Sequence, residues 1–219
     1  RLETLFLKTK IVCFGRYALE VPQEAQLISG GTTILSEIKT IPGGITEKNE
    51  RIAEEIERIK KSDRTSEIIH NGKGPIENSW QLQYYDGEFS KEGRRLIFKT
   101  YITKGRHIFI LDGSTRKGEA IADSIGNQMV RANNLRLRDE NEVPNEPGYC
   151  VKNGFMSDNK YDSQEMADAG LYFPSFPDVT FSITANKNAY GDYPPAEYDA
   201  KVRGKLSLLA RIQEAKDQQ

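Results

Sequence analysis

Three features of this sequence predict an α+β fold in two domains. Segments of β-branched and aromatic residues alternate with polar ones. Stretches with apolar residues at helical spacing interrupt them, and one charged, proline-bearing tract separates two similar successions of elements. Each domain is expected to be an antiparallel sheet with helices packed on one face. The boundaries read as 1–137 for an N-terminal domain, 138–147 for a linker, and 148–219 for the start of a C-terminal domain that is incomplete.

Lys10 to Val21 (KIVCFGRYALEV) is rich in β-formers and closes at Pro22, so it predicts one strand or a tight hairpin around Gly15. Thr32 to Ile41 predicts a further strand, ended by Pro42-Gly43-Gly44. The period then changes. Ile45, Ile52, Ile56 and Ile59 recur at helical spacing, with Glu54, Glu55, Glu57, Arg58, Lys60 and Lys61 on the other face. Thr46 is the expected N-cap and Glu47 an anion in the first turn, where the helix dipole favours one. The helix should end near Ser62.

Alternation returns with Trp80, Leu82 and Tyr84 against Gln81 and Gln83, and Asp86-Gly87 signals a turn. Arg94 to Thr103 and His107 to Leu111 flank Lys104-Gly105-Arg106, which predicts a hairpin. Ile121, Ile125 and Met129 then mark a second amphipathic helix over about 117–135. Arg138 to Pro147 (RDENEVPNEP) lacks apolar periodicity and carries two prolines, as a linker would. Beyond it, strands are expected at 148–155, which holds Cys150, and at 178–185, with 165–173 between them. A last helix opens at Pro194-Pro195, with Tyr198, Val202, Leu206, Leu209 and Ile212 on its apolar face. The order of a Cys-bearing strand, a β-branched strand and a long charged helix thus occurs twice. That is the outline of a pseudo-repeat whose second copy stops early.

Composition narrows the function. Lys plus Arg (31) nearly balances Asp plus Glu (32), leaving no global field for nucleic acid or anionic lipid. No apolar run reaches the ~20 residues of a membrane-spanning helix. Ten tyrosines and nine phenylalanines with clear periodicity argue for packed structure. Two cysteines, Cys13 and Cys150, fit two free thiols in a reducing compartment or one disulfide in an oxidising one.

Catalytic constellations are not evident in the sequence. His70 lies in a polar stretch that reads as a turn, His107 opens a strand, and neither has metal-ligand spacing. Ala122-Asp123-Ser124-Ile125-Gly126 approaches a nucleophile elbow but falls inside the expected helix. Gly72-Lys73-Gly74-Pro75 lacks the spacing of a phosphate loop. Asp158 to Asp162 lacks the glycine and closing glutamate of a calcium loop. No catalytic, metal-binding or cofactor-binding residue is assigned. Tyr190, Asp192 and Tyr193 are the candidate partner-binding residues, since tyrosines on a Gly/Pro-stiffened loop offer contact area at little entropic cost. Their plainer role is to cover the end of the following helix.

Thr9 to Pro22 resembles the opening of type VI secretion lipase-immunity proteins, at Cys13, Gly15, Arg16, Tyr17, Val21 and Pro22. Gly148 to Phe155, with Phe173 to Thr184, resembles the opening of that family's C-terminal domain, and Trp80 with the strands after it fits the N-terminal domain. The resemblance implies a periplasmic, non-enzymatic protein of a Gram-negative bacterium that needs no cofactor. Its partner would be a type VI phospholipase effector, grasped by two α+β domains that obstruct the lid or active-site entrance. It does not imply membrane insertion or nucleic-acid binding. In that setting Cys13 and Cys150 form an interdomain disulfide or remain two buried thiols. A periplasmic hydrolase acting on lipid or cell wall and a non-catalytic envelope module are the alternatives.

Overall fold

The computed structural model describes residues 5–187 except 94, 116–119, 161 and 162. The N-terminal β-rich stretch turns back on itself. Strands β1 (Thr9–Phe14) and β2 (Tyr17–Pro22) pair antiparallel across Gly15 and Arg16, with Phe14 opposite Tyr17. Gly15 adopts φ +53, a left-handed conformation that glycine enters without steric cost.

The single strand expected over 32–41 is two strands. β3 (Gln26–Ile34) and β4 (Ser36–Pro42) meet at Leu35, which takes φ +65 and reverses the chain, so that Ile34 opposes Ser36. Neither glycine nor proline marks this corner, and the β-forming residues on both sides conceal it.

Helix α1 (Ile45–Ser62) follows as its isoleucine spacing predicts. Its N-cap is Gly44 rather than Thr46. The Gly44 N–H donates to Glu47 Oε2 at 2.7 Å, so a carboxylate three residues on satisfies the N-cap's own N–H. Ile52 and Ile59 pack on Leu82, Tyr84, Tyr101 and Ile108.

Strand β5 (Glu67–Lys73) includes His70, where a polar turn was expected. It pairs with β6 (Ser79–Tyr85) through a register shift between Ile68 and His70. A short helix α2 (Glu88–Glu92) precedes β7 (Ile97–Lys104) and β8 (His107–Ser114), which form the expected hairpin with Lys104 opposite His107.

Helix α3 (Ile121–Asn134) departs from its sequence pattern. It buries Ser124, Gln128, Arg131 and Ala132 and leaves Ile121 and Met129 exposed. The surface beneath it presents polar groups. The Asp112 carbonyl accepts from Gln128 Nε2 and Arg131 Nη1, both at 2.9 Å, and the Ser36 carbonyl accepts from Arg131 Nη2 at 2.9 Å. Unmet carbonyls there would cost more than exposed methyl groups do.

Strand β9 (Leu135–Leu137) leads to residues 138–147, which hold neither helix nor strand. This stretch is nonetheless tied down. Arg138 Nη1 donates to the carbonyls of Asp139, Glu140 and Glu142, and Arg136 pairs with Glu142 and Glu146 at 2.7 Å each. Strands β10 (Gly148–Val151) and β11 (Gly154–Ser157) form a hairpin turning at Asn153, and β11 also pairs with β9. β12 (Glu165–Tyr172) and β13 (Thr180–Lys187) close the described chain.

Among the described residues the largest sheet has eight strands in the order β13-β12-β3-β4-β8-β7-β6-β5. The second pairing from one edge, β12 with β3, joins segments from either side of 138–147. About that pairing the order is symmetric: a hairpin (β3–β4) meets a hairpin (β12–β13), each preceded by a cysteine-bearing hairpin. The α+β class is as the sequence predicts, but α1 and α3 take opposite faces of the sheet. Ile108 on β8 belongs with Ile52 and Ile59. Its neighbour Phe109, pointing the other way, belongs with Ala132, Leu135, Tyr149 and Met156. The last predicted helix lies outside the described residues.

Candidate functional site

Of the residues that carry the sequence resemblance, Cys13, Gly15, Arg16, Gly148 and Cys150 meet at one junction. Cys13, near the end of β1, is bonded to Cys150 on β10, with the two Cα atoms 5.9 Å apart. Beside the disulfide the backbones form a β-bridge: the Gly15 N–H donates to the Cys150 carbonyl at 3.0 Å, and the Cys150 N–H donates back at 2.6 Å. A β-carbon on Gly15 would stand 2.8 Å from that of Ala167 on β12. The glycine therefore serves both the turn and the close approach of three strands.

Arg16, the next residue, extends this contact. Its Nε donates to Glu165 Oε2 at 2.7 Å and its Nη2 to Glu165 Oε1 at 2.5 Å, a bidentate pair. It also binds the Asp158 carboxylate, and its Nη1 reaches the carbonyls of Asp158 at 3.1 Å and Gly148 at 3.2 Å. The guanidinium lies 5.9 Å from the Tyr149 ring centre. Burial disfavours the charged guanidinium, but the hydrogen bonds to Glu165 and Asp158 outweigh it and raise its pKa. Tyr149 in turn donates to the Met166 carbonyl at 2.6 Å, and burial next to Glu165 pushes its phenol well up.

This chemistry is structural. A disulfide, a backbone bridge and a buried ion cluster hold the β1–β2 hairpin to β10 and β12. Glu165 and Asp158 are the partners that sequence reasoning missed. A buried arginine needs carboxylates, but nothing in the order of residues says which of the many acidic groups will lie beside Arg16.

The remaining candidates are dispersed. Tyr190, Asp192 and Tyr193 lie outside the described residues. His70 Nε2 lies 3.2 Å from the Lys73 carbonyl oxygen, whereas His107 Nδ1 lies 3.3 Å from Asn153 Nδ2 on another part of the sheet. Ser124 is buried within α3. Among the described residues no cluster of His, Cys, Asp and Glu is arranged to hold a metal ion. Two concavities flank the junction. One, of about 360 Å³, is lined by Cys13, Arg16, Tyr17 and residues 143–148. The other, of about 570 Å³, lies between α3 and the segment leading to β12.

Two family models match the chain in succession. The Tle cognate immunity protein 4 N-terminal domain covers residues 10–139, and the C-terminal domain of the same family covers 142–216. This chain belongs to that family. The disulfide therefore joins the two segments that the family's domains occupy. Solved structures with a similar fold include the apo immunity protein TplEi of the type VI secretion system of Pseudomonas aeruginosa. It is 20% identical, with TM-score 0.68 over 91% of this chain and 68% of that one. A Tle4-Tli4 complex is also similar, at 20% identity and TM-score 0.68 over 90% of this chain and 65% of that one. A third is TplEi with an "L" peptide, at 20% identity and TM-score 0.64 over 90% of this chain and 65% of that one. This chain thus spans about two thirds of their length. No curated protein sequence matches it.

Proposed function

We propose that this Tle cognate immunity protein 4 family member binds a type VI secretion lipase effector in the periplasm. It neutralises the effector by obstructing its lid or active-site entrance. The observation that carries this reading is the succession of both family domains along one chain, N-terminal then C-terminal, at residues 10–139 and 142–216. A further observation agrees with it. The Cys13–Cys150 disulfide suits an oxidising compartment.

Neutralisation of this kind requires complementary surface, and a stable inhibitory interface buries about 1,200–2,000 Å² in total. The junction around Arg16 prepares the chain for that task. It fixes the two family segments against each other before the effector arrives, so less ordering entropy is lost on binding. Tyr190, Asp192 and Tyr193 are the proposed contact anchors, and the protein acts by binding rather than by catalysis.

The test is capture of lipase effectors encoded in the same genome, with phospholipase activity followed in parallel. Stoichiometric capture with loss of activity is expected. Absence of binding at micromolar concentration would overturn the reading.

A further inference from the structure

The concavity beside α3 has its carboxylates paired and its cations not, and that points to its occupant. It lies between the exposed side of α3, the β3–β4 corner and residues 156–160, and its volume is about 570 Å³. Two carboxylates line it, and both are matched: Glu146 pairs with Arg136 at 2.7 Å, and Asp158 pairs with Arg16. Two cations line it as well, Arg131 and Lys160. Among the described residues neither side chain forms an ion pair, although the Lys160 backbone N–H donates to Asp158 Oδ1 at 3.3 Å.

Arg131 is the unusual one. It is only 5% exposed, yet its hydrogen bonds run to neutral oxygens alone: Ser36 Oγ at 2.7 Å and the carbonyls of Ser36 and Asp112. Its Nε is buried with no acceptor. The Asp112 carboxylate is turned to Lys39 and Lys99, at 3.8 and 3.9 Å. Desolvation lowers the Arg131 pKa to about 10, and the Asp112 charge offsets only part of that. A buried cation with no carboxylate in contact is costly, and an arriving anion relieves that cost. Beside it the groove offers Leu35 and Val130, both substantially exposed. The site thus combines a positive floor with an apolar lip.

We infer that this groove receives an acidic segment of the effector, with a carboxylate drawn to Arg131 and Lys160 and an adjacent apolar side chain resting on Leu35 and Val130. The inference rests on the immunity reading and adds to it the place of contact and the chemistry of the anchor. A protein segment is favoured over a phosphate headgroup because apolar lip and buried cation lie together. Alternating acidic and apolar side chains match that pairing.

The experiment uses the full chain and exposed positions, so that folding is preserved. Lys160→Glu reverses a groove charge, and Lys61→Glu makes the same change on the exposed side of α1. Titration against the effector should show Lys160→Glu binding about tenfold or more weakly, with Lys61→Glu within about twofold and melting temperatures unchanged. Equal affinities for both variants and wild type would overturn the groove while leaving the immunity reading intact. Failure of wild type to bind would overturn that reading instead.

A second arm does not need the effector. A hexaglutamate peptide should shift the backbone amide resonances of 127–134 and 157–160 in the wild type but not in Lys160→Glu, and a hexaglutamine peptide should shift neither. No shift with hexaglutamate would overturn the anionic site. Binding to phosphatidylglycerol vesicles that is lost in Lys160→Glu would overturn the protein segment as its source.

Discussion

Gly15 and Cys150 exchange a pair of backbone hydrogen bonds, 3.0 and 2.6 Å long, immediately beside the disulfide that joins Cys13 to Cys150. The covalent link and the bridge act on the same two strands. The backbone pairing sets their register, and the disulfide prevents them from separating.

Loss of the disulfide should therefore weaken the whole fold. It closes a loop with a sequence separation of 137, for which chain entropy gives a stabilisation of about 4–5 kcal/mol. Cys13→Ala with Cys150→Ala, or reduction of the native protein, is expected to lower the melting temperature by 10 °C or so. Calorimetry with and without reductant checks this. An unchanged transition would place the strength of the junction elsewhere.

Gly15→Ala should be destabilising by two routes. The φ of +53 is strained for alanine, and the new methyl would sit 2.8 Å from the Ala167 β-carbon. A loss of about 2 kcal/mol is expected by urea denaturation, from strain plus overpacking.

The ion cluster makes an asymmetric prediction. Arg16→Gln removes the ion-pair partner of Asp158 and leaves the buried Glu165 with Lys187 at 3.6 Å, and should cost about 3–5 kcal/mol. Arg16→Lys keeps the charge but loses the bidentate fork, so it should recover only part of that loss. Full recovery would mean that charge alone, not geometry, holds the junction.

Helix α1 separates sequence pattern from packing. Ile45 and Ile59 belong to one apolar series, yet Ile45 is 67% exposed and Ile59 only 1%. Ile59→Ala should cost about 2–5 kcal/mol and Ile45→Ala less than about 0.5. Denaturation midpoints of the two variants check the contrast.

Asp112 supplies a pH dependence. Burial, set against Lys99 and Lys39, raises its carboxyl above the ordinary aspartate value. The folded state then holds a proton that the unfolded chain releases near pH 4. Stability from this group is full below that point and is lost as pH rises through the folded value. Asp112→Asn should melt higher than wild type at pH 7, by on the order of 1 kcal/mol, with the difference shrinking toward pH 4. A difference independent of pH would assign the effect to packing.

Local periodicity made much of this fold readable. The hairpin at Gly15, the hairpin at Gly105 and helix α1 each follow from turn residues between runs of one period. What escaped was decided at a distance. Leu35 reverses the chain because β4 is drawn to β8 and β3 to β12. His70 is a strand residue because β6 offers it a partner. The inward side of α3 is polar because carbonyls of Ser36 and Asp112 lie under it, and these belong to other elements. The Arg16 junction was half legible: its glycine and cysteines stand out in the chain, while Glu165 and Asp158 become visible only once β12 is in place.

The order of the central sheet also sets a timetable. β3 is held on one side by β12, so the strand nearest the start of the chain waits for one made much later. Contacts closed over such spans form slowly, in the range of milliseconds to seconds for β-rich domains. Until β12 arrives, the N-terminal segment carries an unpaired strand edge that invites association with other chains. A ribosome releasing this polypeptide exposes that edge until residues 165–172 have followed. Shielding β3 in the nascent chain guards against that association.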